Sequence, residues 1–296
     1  MKKQRSKQKR FARGFVLAGI LPAVVWYLIF AGLPIFYSLY LSFFRWSFLD
    51  PSQFVGLANY SEILTQDQLF YKALGNTFTF TFSEISVGTV LAFCFALLIN
   101  RLKRSAPFFR TVFFLPVVSS MTAVAILWRW LFQPKFGLIN QLLGLVGLGP
   151  GMWLNSPETA MESVVIMSVW KGLGFTIVLF LAGLQGIPDS LYEAAEIDGA
   201  NRWQKVIRIT IPLLRPTFAF ILITGLINGL QAFTQMYVLT KGGPVNATLT
   251  IVYHLYNRAF EFFNMGSASA MAFILFFMII FLTIIQLKLL NKEISY

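Results

Sequence analysis

The segment Glu193-Ala-Ala-Glu-Ile-Asp-Gly-Ala200, followed by Ile209-Thr-Ile-Pro212, is a polar stretch that separates two long apolar runs. The runs on either side, residues 161–186 and 217–239, are long enough to cross a bilayer, which takes about 20 apolar residues. Charged side chains are costly in hydrocarbon, so the polar stretch is expected to lie outside it. This part of the sequence therefore predicts a membrane protein with a loop shaped for contact with a partner outside the membrane.

The composition of the whole chain agrees with a bilayer location. Apolar residues make up 57% of the sequence and charged residues 12%, whereas soluble domains carry about 25% charged residues. Backbone groups in hydrocarbon must be paired within their own segment, so long apolar runs are expected to be helices. The short alternating segments of a β-barrel are missing from the sequence. We predict an all-α multi-pass membrane protein with a membrane domain at residues 14–296. Its six predicted spans are residues 14–44, 76–100, 108–132, 161–186, 217–239 and 266–290.

The basic residues predict which side each loop faces. Most of the 24 Lys and Arg residues lie in a tail at residues 1–13 and in alternate connections at 101–110, 202–215 and 288–292. Lys and Arg accumulate on the cytoplasmic side of membrane proteins. We therefore expect both termini and the loop at 187–213 to be cytoplasmic. The net charge of +12 then reflects topology, and no nucleic-acid partner is predicted.

The first apolar run is predicted to stay in the protein. A secretory signal peptide has an apolar region of about 7–15 residues and a small-residue cleavage site. The run at residues 14–44 is longer and no clear A-x-A site closes it. We expect an uncleaved first helix.

The polar loop is predicted to contain two short helices. Residues 191–197 form the first, and Gly199 then allows a sharp turn because glycine tolerates a positive φ. The second helix, residues 201–209, ends before Pro212. An alternative is an amphipathic connector in the headgroup region, with Trp203 among its buried side chains.

The spacing in this loop closely resembles the EAA loop of the membrane-spanning subunits of bacterial ABC importers. The family pattern is Glu-Ala-Ala, three residues, Gly, nine residues, Ile, one residue, Leu and Pro. Ile211 stands where the family usually has Leu, and the other positions match. The resemblance implies six helices of the type I importer kind and a loop that couples to a separate ATPase. The loop residues to which we assign this coupling are Glu193, Ala194, Ala195, Asp198, Gly199, Ile209 and Pro212.

Three further segments are similar to the sugar-importing branch of that family. They are Phe54-Val-Gly-Leu-Ala-Asn-Tyr60, Gly137-Leu-Ile-Asn-Gln-Leu-Leu143 and the segment Leu-Thr-Lys-Gly-Gly-Pro-Val-Asn-Ala-Thr at residues 239–248. The resemblance thus covers most of the chain. It implies a carbohydrate substrate, an extracytoplasmic sugar-binding protein and a second permease subunit.

The sequence offers few groups for catalysis or metal binding. The chain has one cysteine, Cys94, and one histidine, His254, which are too few for a metal site or a Cys/His nucleophile. We expect Cys94 to be packed and His254 to be solvated in a loop. No G-x-x-x-x-G-K-[ST] motif is present to cradle phosphates. We predict no catalytic, metal or cofactor site, and ATP is expected to be used by a partner ATPase dimer.

Polar residues within the spans predict the route of the solute. Such residues are costly in lipid and usually face a cavity or another helix. Their spacing places them on one face of the fourth and one face of the fifth helix. Hydrogen bonding between helices is the alternative, but the resemblance favours a cavity, and aromatic, amide and hydroxyl groups suit a sugar. The predicted residues are Ser168, Lys171, Gly172 and Phe175 in the fourth span and Thr224, Asn228, Gln231 and Gln235 in the fifth.

Lys171 has two interpretations. At 1.5 Å per residue it lies about 15 Å into its span, and Glu84 lies at about 12 Å from the same surface. The first interpretation is an ion pair between the two. The second is contact between Lys171 and an acidic or phosphorylated solute.

We predict a permease subunit of an ATP-driven carbohydrate importer in a bacterial cell membrane, surrounded by membrane lipid. Six spans are few for a complete pathway, so a second permease is expected. The resemblance favours a different chain over a second copy. The alternative is a stand-alone secondary transporter, a class that often shows midplane ion sites and internal repeats. The few ionisable residues in the spans and the lack of a repeated half disfavour it.

Overall fold

The computed structural model of the protein describes residues 19–46, 52–102 and 105–290. The predicted tail at residues 1–13 lies outside these ranges. Helices dominate the described chain, and β1 (Phe44–Arg45) and β2 (Gln53–Phe54) pair as a short antiparallel ribbon. The helices are α1 (Gly19–Ser42), α2 (Ala58–Thr65), α3 (Gln68–Asn100), α4 (Ala106–Val118), α5 (Met121–Leu131), α6 (Leu138–Leu145), a 3₁₀ turn (Trp153–Asn155), α7 (Ala160–Gln185), α8 (Asp189–Ile197), α9 (Arg202–Leu213), α10 (Arg215–Leu230), α11 (Thr234–Leu239), α12 (Ile251–Tyr256) with a π-turn (Asn257–Glu261), and α13 (Met265–Leu290).

Four of the described helices, α1, α3, α7 and α13, are long and apolar enough to cross a membrane. Two bent pairs also qualify: α4 with α5, at 97°, and α9 with α10, at 64°. The described chain thus contains four candidate spans, or six if each bent pair is one span. The multi-pass fold follows from these helices, and the count of six stays a prediction.

The third predicted span, residues 108–132, is not a straight helix. α4 ends at Val118, and Ser119 and Ser120 are extended, with ψ of 148° and 137°. Pro116 lies inside the last turn of α4, where it removes a backbone donor and weakens the helix. Apolar composition alone predicted one continuous span, because composition does not report the direction of the chain.

The fifth predicted span, residues 217–239, is also interrupted, so its prediction as one helix is wrong. α10 ends at Leu230, and the helix resumes as α11 at Thr234. The carbonyl oxygen of Ala232 within the break accepts a hydrogen bond from the Thr250 hydroxyl, at 3.1 Å. A distant residue therefore satisfies a backbone group that the break exposes.

The second predicted span begins earlier than expected. α3 starts at Gln68 instead of residue 76, because the Asp67 carboxylate accepts a hydrogen bond from the Phe70 amide at 3.1 Å. This is a standard N-terminal cap. The predicted bounds of the fourth and sixth spans agree with the bounds of α7 and α13 to within one residue at each end.

The contacts divide the described chain into two compact units. One comprises residues up to Gln66 together with Tyr256–Phe273, and the other comprises Asp67–Leu255 together with residues from Ile274 onward. In the first unit, the Asn59 side-chain amide donates to the carbonyls of Ser42 and Phe44, at 2.8 and 2.9 Å. These bonds hold α2 against the end of α1.

The second unit is a bundle in which α3 packs against α4 and α10, and all three pack against α7. Gly174 of α7 lies so close to α4 that a Cβ at this position would overlap the backbone carbonyl of Phe113. Small residues allow such close contact between helices in membranes. An apolar cluster around Ile177 and Phe180 lies beside this contact.

Candidate functional site

The polar loop forms two helices joined by a tight turn. α8 is followed by Gly199, which has a φ of +77°, and the Ala200 amide donates to the Ala195 carbonyl at 2.8 Å. α9 then begins with a capping box, in which Asn201 and Gln204 bond each other's backbone amides at 2.9 and 2.8 Å. The end of α8 and the start of α9 are therefore each stabilised by residues close to them in the sequence.

Two side-chain contacts tie α8 to α9. Lys205 forms an ion pair with Glu196, and this hydrogen bond and the lysine charge hold the pKa of the Glu196 carboxyl below its ordinary value. The Tyr192 and Thr210 hydroxyls lie 2.9 Å apart and share a hydrogen bond. We call the segment Asp189–Leu213 the two-helix loop.

The second helix of this loop is longer than predicted. It continues past Ile209 to Leu213, because a π-turn at Val206–Thr210 is followed by a new α-turn. Pro212 lies at the start of that turn, where a proline's missing amide costs no hydrogen bond.

The face of the two-helix loop around the turn is exposed. Glu193 is exposed there, and Ile197 and Trp203 have 88% and 71% of their surface exposed. Large apolar side chains that protrude beside charged residues are typical of a protein contact. Sequence reasoning missed Ile197, although it directly precedes the Asp198-Gly199 turn.

A cavity of about 450 Å³ lies between α3, α7 and α10. It contains six of the eight residues predicted for the solute route. Asn228 is exposed, while Thr224 has its hydroxyl bonded to the Phe220 carbonyl at 2.7 Å. The six residues are Ser168, Lys171, Gly172, Phe175, Thr224 and Asn228.

The other two predicted route residues lie elsewhere. Gln231 caps the end of α10 and its amide donates to the Ile227 carbonyl at 3.1 Å. Gln235 is buried in α11. The helix break between them means that Gln235 does not continue the face of Thr224, so the predicted single stripe of four residues is wrong.

Lys171 does not pair with Glu84, which corrects the first interpretation of that residue. Its ammonium donates to the carbonyls of Pro116 and Val117, at 3.4 and 3.3 Å. Within the described part of the chain, Lys205 pairs with Glu196, and neither Lys171 nor Glu84 forms an ion pair. Glu84 nevertheless lines the same cavity as Lys171. The prediction that the two residues lie at a similar depth along their helices therefore agrees with the structure, whereas the predicted ion pair is wrong.

A cavity with polar groups between membrane helices, together with an exposed two-helix loop, agrees with the comparison of sequences. The model of the family described as "Binding-protein-dependent transport system inner membrane component" matches residues 84–296. This chain belongs to that family. The resemblance stated from the loop spacing is therefore confirmed.

Relatives and solved structures of this family cover nearly the whole chain. The probable ABC transporter permease protein YesP of Bacillus subtilis is 36% identical over 300 residues, covering 100% of this chain and 96% of YesP. The trehalose/maltose transport system permease protein MalF of Thermococcus litoralis is 36% identical over 273 residues, with 91% of each chain covered. A chain of a bacterial alginate ABC transporter superposes with a TM-score of 0.84 at 26% identity, covering 96% of both chains.

This family member also has a buried polar contact that sequence reasoning missed. His254 was expected to be solvated, but it is 3% exposed and its Nε2 lies 3.0 Å from the Asp67 carboxylate. Farther along α3, the Asn76 amide donates to the carbonyls of Asn246 and Leu249, both at 2.9 Å. The residues are far apart in sequence, so no local pattern predicts the contact.

The packing expected for Cys94 was also wrong, since Cys94 is exposed.

Proposed function

We propose that this chain is the permease subunit of an ATP-driven importer for a carbohydrate, which an extracytoplasmic binding protein delivers. The observation that supports this most is the cavity between α3, α7 and α10. It combines hydroxyl, amide and aromatic groups from Ser168, Asn228, Phe175 and Phe220. Amides and hydroxyls can bond sugar hydroxyls in both directions, and rings can cover the apolar face of a sugar.

The similar proteins support a carbohydrate as the solute. The Thermococcus litoralis relative carries trehalose/maltose in its name, and a Bacillus subtilis relative is the arabinooligosaccharides transport system permease protein AraP, 34% identical over 273 residues. The solved alginate transporter is in complex with an alginate-bound periplasmic protein. We infer that this chain also works with a binding protein outside the cell membrane. The basic tail and connections support cytoplasmic termini.

The two-helix loop is proposed to dock on the ATPase. α8 follows α7 directly, and α9 joins α10 through a 64° bend. Both α7 and α10 line the cavity. A displacement of the loop by an ATPase dimer would therefore move two cavity walls, and ATP hydrolysis would belong to that separate subunit. A second permease, in our proposal a different chain, would complete the pathway.

Reconstitution of the complete transporter tests this function. The chain would be assembled in liposomes with its partner permease, ATPase and binding protein, and uptake of labelled neutral and acidic oligosaccharides would be measured. We expect uptake that requires both ATP and the binding protein. Carbohydrate uptake driven by an ion gradient without the ATPase would instead identify a secondary transporter.

A further inference from the structure

The cavity contains two oppositely charged side chains, Glu84 of α3 and Lys171 of α7. They line the same space, yet within the described residues they form no ion pair with each other. The groups that surround each of them therefore decide which charge a solute in the cavity meets.

The charge of Lys171 is directed to the end of α4. Its ammonium bonds the carbonyls of Pro116 and Val117, and α4 ends one residue later at Val118. The Pro116 carbonyl also accepts from the Ser119 amide at 3.2 Å, and the carbonyls at the end of a helix together carry about half a negative charge. The lysine is thus partly neutralised and held at the wall of the cavity.

The carboxyl group of Glu84 has no comparable hydrogen-bond partners within the described residues. Glu84 is half-buried, and none of the hydrogen bonds or ion pairs within the described ranges involves its carboxyl group. The Ser168 hydroxyl, which is buried in the same cavity, also has no partner there. Unpaired polar groups in a partly dehydrated space are costly. A bound solute that donates hydrogen bonds to the Glu84 carboxyl group would remove that cost at Glu84.

We propose that Glu84 determines which solutes the cavity binds. Solutes with hydroxyl or ammonium groups near Glu84 are accepted, and solutes with a carboxylate or phosphate at that position are rejected. This inference rests on the proposed function. In its ionised form the Glu84 carboxylate accepts hydrogen bonds from hydroxyls and repels an anion, whereas Lys171 is engaged by α4. The solute class is therefore a neutral or amino carbohydrate, unlike the acidic polysaccharide alginate that a solved relative imports.

The reactivity of a single cysteine in the cavity measures this charge preference without any transported solute. Asn228→Cys would be made in the full chain with Cys94→Ser, and reconstituted in lipid. Its reaction rates with a cationic trimethylammonium and an anionic sulfonate methanethiosulfonate would be compared at about pH 8.5, near the ordinary thiol pKa. Leu145→Cys, at a position 83% exposed and outside the cavity, gives the reference ratio.

We expect the cation-to-anion ratio at residue 228 to exceed the reference about fivefold to tenfold, since the carboxylate attracts one reagent and repels the other. Glu84→Gln should return the ratio to the reference, and the matched Glu162→Gln, outside this cavity, should not. A ratio at or below the reference, or one that Glu84→Gln leaves unchanged, would overturn the proposal. Thr224→Cys replaces Asn228→Cys if that variant does not fold.

Uptake by the reconstituted transporter provides the second measurement. A neutral trisaccharide and its uronic acid counterpart would be compared, and Glu84→Gln should narrow the preference for the neutral sugar about tenfold. Glu162→Gln, outside this cavity, should leave that preference unchanged, and an equal shift caused by Glu162→Gln would count against Glu84. If neither sugar is imported by the unmodified transporter, the proposed function fails, while the cysteine reactivity still decides the present inference.

Discussion

The two-helix loop and the cavity are held together over very different sequence distances. In the loop, Lys205 and Glu196 are 9 positions apart, and Tyr192 and Thr210 are 18 apart. In the cavity, Lys171 bonds carbonyls 54 and 55 positions away. The loop is therefore a local module whose shape depends on its turn. The cavity depends on how closely separate helices approach each other. Substitutions that disturb helix packing should therefore affect the cavity more than the loop.

The largest effect is expected where the helices of the cavity meet. Gly174→Ala places a methyl group on the backbone of Phe113, and such overpacking in a tight contact costs about 3 kcal/mol or more. The thermal unfolding midpoint of the purified chain should fall steeply. Gly75→Ala in α3 is the control, because nothing lies within 4 Å of the added atom. Equal stability of the two variants would contradict the close contact.

The next effect concerns the turn of the two-helix loop. Gly199→Val forces a β-branched residue to a φ of +77°, a conformation that costs about 1–3 kcal/mol. We expect loss of binding-protein-stimulated ATPase activity in the assembled transporter, with an unchanged unfolding midpoint for the spans. Gly199→Asn should retain much of the activity, since asparagine tolerates this conformation. Full ATPase activity of the valine variant would show that the conformation of this turn is not needed for coupling.

A smaller effect is expected for one polar side chain in the cavity. Asn228→Ala should weaken apparent transport affinity by about 1–2 kcal/mol, the usual scale for a lost hydrogen bond to a solute. Gln231→Ala lies on the same helix outside the cavity and should change affinity little. Uptake measured over a range of sugar concentrations distinguishes the two. The assignment of the cavity would be wrong if Gln231→Ala had the larger effect.

The smallest effect concerns the Glu196–Lys205 ion pair, which lies on an exposed surface where such pairs contribute little. Lys205 lowers the pKa of Glu196 in the folded loop. The pair therefore stabilises the loop above the ordinary carboxyl pKa of 4.5, and this contribution is lost as the pH falls through the lower folded value. The protection factors of the Gly199 and Ala200 amides, which correct measured exchange rates for their intrinsic pH dependence, should fall slightly on acidification. In Glu196→Gln, these protection factors should not change over the same pH range.

Sequence reasoning predicted the local module better than the cavity. The turn at Gly199 and the two helices follow from a glycine and a capping residue within a few positions of each other. Six of the eight predicted route residues, all on α7 and α10 where each helix is continuous, line one cavity, and their role in transport stays a prediction. The prediction failed at Gln235, because no local pattern indicates the break after Leu230. It failed at the partners of Lys171 and His254, because both contacts join segments that are distant in sequence.

The length of α3 has a mechanical consequence. Its 33 residues measure about 50 Å, whereas the hydrocarbon layer is about 30 Å thick. A rod of this length protrudes beyond the lipid, and the contacts of Asp67 and Asn76 fasten residues 246–254 to its first turns. At 1.5 Å per residue, Glu84 lies about 24 Å from the start of α3 at Gln68 and about 12 Å beyond Asn76. A protein that pulls on the fastened segment would therefore transmit its force to the cavity through a single stiff helix.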